Sequence, residues 1–243
     1  DGGSNFGWAV LNDSGAGWDF ASSEHTTSTI RPQLSVEFVA PPVISLPGAA
    51  LAYTENDPAT VIDATATASD SDSADFDSGT LTVDFTANGS SNDRLAINNQ
   101  GTGAGQIGVS GSNVSYEGTT IGTFTGGKNG STPLVITFNA NSTPTSAQAL
   151  MRNVTYENVS DNPSTSARTV RFVLTDGDGG TSDAATQTVN VTATPDTPTV
   201  SATGSALSYT ENDIATNIDT GLVVVDGDNS ISSATVQITT GYD

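Results

Sequence analysis

The chain has 243 residues, with 27 Asp or Glu against 6 Lys or Arg and a formal net charge of −21. So acidic a surface excludes nucleic acid, whose binding needs a basic stripe to release phosphate counterions, and disfavours anionic membranes for the same reason. Cations, or a high-salt environment, are the natural partners of such a surface. There is no cysteine, so disulfides and thiolate metal sites are excluded. The hydrophobic fraction is 35%, or about 45% once the 25 glycines are added, close to the globular average and sufficient for a β core. No apolar run reaches the roughly 18 residues of a spanning helix, and the opening DGGSNFGW is not a signal peptide.

In chain order, FGWAVL, WDFAS and RPQLSVEFV read as short strands separated by the turns NDSGAG and SSEHTTST. Leu34, Val36 and Phe38 alternate with Ser35 and Glu37, the period of a half-buried strand. Three strands do not make an independent sandwich. Residues 1–41 are therefore expected to be the closing strands of a β-domain, and APPV from Ala40 a stiff extended linker.

Residues 42–197 are predicted to form one complete β-sandwich. LAYT, TLTVDFT, NVSYEG, PLVITFN, TVRFVLT and TQTVNVTA are its clearest strands, with Val170, Phe172 and Leu174 on one face of the fifth. TPTSAQALMRN, from Thr143, is the exception: a Ser/Thr start followed by Ala147, Ala149, Leu150 and Met151 predicts one or two helical turns running into the strand VTYEN. A second linker, ATPDTPTV, follows from Ala193.

LAYTENDPATVID from Leu51 then returns as LSYTENDIATNID from Leu207, a spacing of 207 − 51 = 156 residues. A period that long is a domain rather than a solenoid turn. Residues 198–243 are expected to supply only opening strands of the next copy: SALSYT, LVVVD and ATVQITT. The predicted class is all-β, tandem β-sandwich domains joined by short Pro linkers, with incomplete domains at both ends. Such open ends expose strand edges, which a neighbouring copy or a continuation of the same polypeptide would cover.

Acidic residues gather at strand ends: Glu55 and Asp57 in TEND, Asp70 and Asp72 in DSD, then Asp75 and Asp77, then Asp176, Asp178 and Asp183 around TDGDGGTSD, with Asp196 in the linker. Two carboxylates about 4 Å apart repel by roughly 4 kcal/mol at an effective dielectric near 20. Ca2+ takes 6–8 oxygen ligands and relieves such repulsion. The alternative is that these are solvated turn aspartates, since Asp-Gly is good turn chemistry.

YTENDP, the following DSD, ALMRNVTYENVSDNPSTSARTVRFVLTDGDGG and the TPDTP linker resemble a repeat of the bacterial cadherin-like, chondroitin-sulfate-proteoglycan-like class. GWDFASSEHTTSTIRPQLSVEF is similar to the end of a secreted jelly-roll module. The first resemblance implies cadherin- or Ig-like sandwiches with calcium near their junctions. By that resemblance the ligand set is Glu55, Asp57, Asp70, Asp72, Asp176, Asp178 and Asp196, with Glu211, Asp213, Asp226 and Asp228 in the second copy. It implies a non-enzymatic structural or adhesive segment of an extracellular bacterial protein, in an extended or fibrous assembly, with surface glycans as further partners. A carbohydrate-binding module, or a spacer attached to a secreted hydrolase, is the alternative. His25, the sole histidine, sits in a polar turn and offers little for a Ser–His–Asp triad.

Overall fold

The structure is a computed structural model and describes residues 39–228 and 231–241. The expected strands of residues 5–38 lie outside the described residues. The described chain is mostly strand, with one short helix. β1 (Val43–Ser45) pairs antiparallel with β4 (Thr67–Ser69). The main sheet runs β2 (Leu51–Thr54), β13 (Ala185–Thr192), β12 (Arg168–Leu174), β5 (Thr80–Ala87), β10 (Thr132–Phe138), β9 (Thr119–Asn129), β8 (Asn113–Tyr116), β7 (Ile107–Ser110). Only the β2–β13 pairing in it is parallel. A smaller sheet orders β3 (Thr60–Val61), β11 (Val154–Asn158) and β6 (Asp93–Ile97).

Period-two patterning explains which faces meet. Val170, Phe172 and Leu174 of β12 are buried while Arg171 and Val173 between them are half-buried. On β13 the buried residues are Gln187, Val189 and Val191. The two sheets meet in a β-sandwich-like arrangement around Tyr156. Its ring lies edge-on to Tyr53 of β2 at 5.0 Å and to Phe85 of β5 at 6.1 Å. Such edge-to-face pairs add about 0.5–1.5 kcal/mol each beyond area burial.

Helix α1 (Pro144–Met151) forms where TPTSAQALM predicts it. Thr143 caps it by accepting the Ser146 N–H, and Ser146 Oγ in return accepts the Thr143 N–H, while Pro144 occupies the first turn, where its missing N–H costs nothing. Ala147, Leu150 and Met151 face the core, and α1 packs on β4 and β8.

Tyr156 also closes a polar knot within this core. Its hydroxyl and the Asn158 Nδ2 each donate to Asp93 Oδ1 at 2.6 Å, and the Ser90 N–H donates to Asp93 Oδ2 at 2.6 Å. Arg168 Nε lies 3.4 Å from the same carboxylate, with both side chains fully buried. Arg168 Nη1 donates to the carbonyls of Ser164 and Ser166. Burial alone would raise the Asp93 carboxyl; the hydrogen bonds from Tyr156, Asn158 and Ser90, together with the Arg168 charge, overcome it and hold the carboxyl below its usual range.

The second copy reproduces local structure but not the sheet. β14 (Thr199–Ser201) pairs antiparallel with β15 (Val223–Val225), Thr199 opposite Val225, which is the Val43–Ser69 register of β1 and β4 moved on by 156 residues. The TEND turn is also the same in both. Tyr53 O–H donates to the Asp57 carbonyl at 2.7 Å and Thr54 N–H to Asp57 Oδ2 at 2.9 Å; the second copy has Tyr209 to Asp213 at 2.7 Å and Thr210 to Asp213 at 3.0 Å. Asn56 and Asn212 both adopt left-handed backbone, φ 67° and 69°. The expected strands SALSYT and ATVQITT are not formed, and of the three only LVVVD is strand. The reason is that a strand needs a neighbour: β2 has β13 beside it, and among the described residues SALSYT has nothing equivalent.

Candidate functional site

The predicted acidic residues divide between opposite ends of the sandwich, because β12 and β5 run antiparallel and β13 runs parallel to β2. At the entry end, Asp70 Oδ1 accepts the N–H groups of Asp72 and Ser73 at 3.1 and 3.0 Å, and Asp72 Oδ2 accepts the Ala40 N–H at 2.8 Å. Fully buried Asp176 accepts three N–H groups on Oδ1, from Asp178, Gly179 and Gly180 at 2.8, 3.1 and 2.9 Å. Asp72 and Asp176 both flank the Ala40–Pro41 segment. The second oxygens, Asp70 Oδ2 and Asp176 Oδ2, are buried without a hydrogen-bond partner. Asp178 and Asp183 are exposed.

The turn after Asp176 depends on Gly177, whose φ is +92° and whose Cβ, if present, would lie 1.9 Å from the Asp77 carbonyl. Gly177→Ala is expected to cost about 1–3 kcal/mol of strain, read as a lower urea midpoint; an unchanged midpoint would show that the turn relaxes freely.

At the exit end, carboxylates from three parts of the sequence converge. Glu55 follows β2, and its Oε2 accepts the Thr194 N–H at 2.8 Å while Oε1 is buried without a partner. Asp228 Oδ2 accepts the Asp196 N–H at 3.4 Å and Asp226 Oδ1 accepts the Asp228 N–H at 3.2 Å. These repeat the Asp72–Ala40 and Asp70–Asp72 bonds of the entry end. Asp196 Oδ2 is buried without a partner. Burial raises the Asp196 carboxyl above its ordinary value, reinforced by the charges of Glu55, Asp161, Asp228 and Asp226. Gly227, between the two aspartates of DGD, fits because it lacks a side chain: a Cβ there would be 2.0 Å from Asp196 Oδ2 and 3.2 Å from Asp161 Cβ.

The structure thus gathers Glu55, Asp196, Asp226 and Asp228 at one end and Asp70, Asp72 and Asp176 at the other. Asp57 and Asp213 are turn-forming residues whose carboxylates accept backbone N–H groups, and Glu211 is exposed. Asp161 joins the exit cluster although no repeat signal marks it. Among the described residues, no group of three or more Asp, Glu or His side chains is gathered closely enough to hold a metal ion as it stands. The side chains instead face backbone donors.

No protein-family model, curated protein or solved structure matches this chain.

The donor chemistry nevertheless suits a hard cation. All the candidate ligands are carboxylate oxygens, the class that calcium prefers. Glu55 Oε1 and Asp196 Oδ2 are buried oxygens with unused lone pairs, next to mutually repelling charges. Among the described residues no helix is long and apolar enough to cross a membrane.

Proposed function

We propose that this chain is a non-enzymatic structural or adhesive segment of an extracellular bacterial protein, built of cadherin-like β-sandwich repeats joined by short proline linkers and stiffened by calcium. The observation that carries this reading is the exit cluster: one domain's Glu55, the linker's Asp196 and the second copy's Asp226 and Asp228 meet at one junction. A divalent cation there would cancel the repulsion and tie the two copies to a common point. Chelation requires Glu55 and Asp196 to turn from their backbone surroundings toward one another.

The second copy supports an extended assembly. Ile218, Leu222 and Val224 are exposed, at 73%, 50% and 44%, whereas their counterparts Ile62, Ala66 and Ala68 are buried in the sandwich. Further strands of the same kind, from a neighbouring copy or a continuation of the polypeptide, fit that face.

Calorimetric titration with CaCl2 tests the ligand assignment. Asp70→Ala with Asp72→Ala is expected to remove more calcium binding than Asp75→Ala with Asp77→Ala. Only the first pair includes a buried partnerless oxygen and has counterparts in Asp226 and Asp228. Equal losses from the two pairs would refute the assignment, and no calcium binding at all would refute the reading.

A further inference from the structure

A groove of about 550 Å3 runs beside α1, within the range of roughly 300–1,000 Å3 usual for small-molecule sites. Asn98, Gln100, Tyr116, Gln148, Arg152 and Asn153 supply its polar lining, and no Asp or Glu lines it. The chain has 27 acidic residues, yet the charged side chain in this lining is an arginine; the carboxylate of Glu117 lies beside the groove, with its Oε1 accepting the Gly105 N–H at 2.7 Å.

Gln100, Gln148, Arg152 and Asn98 are each held by one atom and present another. Gln148 Oε1 accepts the Ala68 N–H at 3.3 Å and Gln100 Oε1 accepts the Ile107 N–H at 3.1 Å, so both amide Nε2 groups remain as unused donors. Arg152 Nε donates to the Ala66 carbonyl at 2.7 Å, which anchors the guanidinium and leaves its outer nitrogens free. Arg168 and Arg171 are neutralised by Asp93 and Asp84, but Arg152 makes no ion pair among the described residues. Asn98 Nδ2 donates to Asn153 Oδ1 at 3.2 Å, leaving Asn98 Oδ1 as an acceptor, and Asn153 Nδ2 is spent on the Ala149 carbonyl. Tyr116, half-buried, contributes an aromatic ring.

We propose that this groove binds an acidic saccharide, a uronate-bearing glycan. Its carboxylate would meet the forked donors of Arg152, its hydroxyls the two glutamine amides and Asn98 Oδ1, and one sugar face the Tyr116 ring. The anchoring bonds fix the Arg152, Gln100, Gln148 and Asn98 groups before a ligand arrives, so little of their side-chain entropy is lost on binding. A planar guanidinium suits a carboxylate because it offers two parallel N–H donors. The groove contains none of the junction carboxylates, and the inference does not rest on the calcium reading.

The test is calorimetric titration of the full chain with a glucuronate-containing disaccharide and with its uncharged glucose counterpart. Both are run in chelator, so that calcium cannot bridge the uronate to the acidic clusters. The acidic sugar is expected to bind at least about tenfold more tightly, corresponding to one charge-assisted contact that the uncharged sugar lacks. Arg152→Gln should erase that preference. Gln148→Glu keeps an acceptor for the Ala68 N–H while placing a negative charge in the groove, and it should abolish uronate binding with an unchanged melting temperature. It decides the matter even if Arg152→Gln folds poorly. Absence of uronate binding, equal binding of both sugars, or wild-type affinity in Gln148→Glu would each overturn the proposal.

Discussion

Asp93→Ala is expected to lower stability by about 3–5 kcal/mol, the cost of leaving a buried charge without its partner. The substitution strands the fully buried Arg168 and at the same time removes the acceptor for Tyr156, Asn158 and the Ser90 N–H. At about 2–4 °C per kcal/mol for a chain of this size, the melting temperature should fall by roughly 10 °C. Arg168→Met should cost less, because Asp93 then still accepts three neutral hydrogen bonds. The carboxyl of Asp93 is held below its ordinary value, so its contribution is complete above the unfolded carboxylate value of about 3.9 and is lost as pH falls through the lower folded value. Urea unfolding at neutral and acid pH checks both points. A variant less than about 1 kcal/mol weaker, or one with the wild-type acid slope, would show that the knot contributes little.

The second large effect concerns calcium. A ligand that binds only the folded state adds about 2.7 kcal/mol at a hundredfold excess over Kd, and extracellular modules bind calcium at about 10⁻⁴–10⁻³ M. Melting in tens of millimolar CaCl2 should therefore exceed melting in chelator by roughly 5–10 °C. Asp196→Ala makes the more discriminating comparison because its effect is expected to change sign. The Asp196 carboxyl is raised by its surroundings, so in chelator its ionised form weakens the fold. That penalty sets in as pH rises through the unfolded carboxylate value and is complete above the raised folded value. In chelator at neutral pH, Asp196→Ala should be neutral or stabilising, and in calcium it should be destabilising. Superimposable melts of the wild-type chain with calcium and with chelator would remove the metal from the account. Destabilisation of Asp196→Ala to the same degree in both would assign that residue a purely structural role.

Much of the local structure is written in short stretches of this sequence. The capping pair Thr143 and Ser146, with Pro144 between, starts α1 without help from distant residues. TEND makes the same turn in both copies although Tyr53 is buried and Tyr209 is 58% exposed, because the hydrogen bonds that the two turns share close within five residues. Alternation along TVRFVL likewise identifies the buried face of β12. The 156-residue period pairs Asp70 and Asp72 with Asp226 and Asp228, whose turn hydrogen bonds recur.

Other properties depend on residues far apart in the chain. LAYT is a strand and SALSYT is not, although the two segments are nearly the same, because backbone groups in a strand are satisfied by a neighbour, and among the described residues LAYT alone of the two has one. Asp161 belongs to the exit cluster because chain packing carries its loop to Asp196 and the DGD turn, a proximity that no local pattern around Asp161 encodes. Arg168 and Asp93, separated by 75 residues, resemble ordinary surface charges in sequence, yet antiparallel pairing of β11 with β6 brings Asp93 opposite Asn158 and the sandwich buries them together. The sequence by itself determined turns, caps, alternation and the repeat, whose interactions close over a few residues. Tertiary structure alone decided burial, the grouping of carboxylates and the donor-lined groove, because each requires surfaces brought together from segments tens of residues apart.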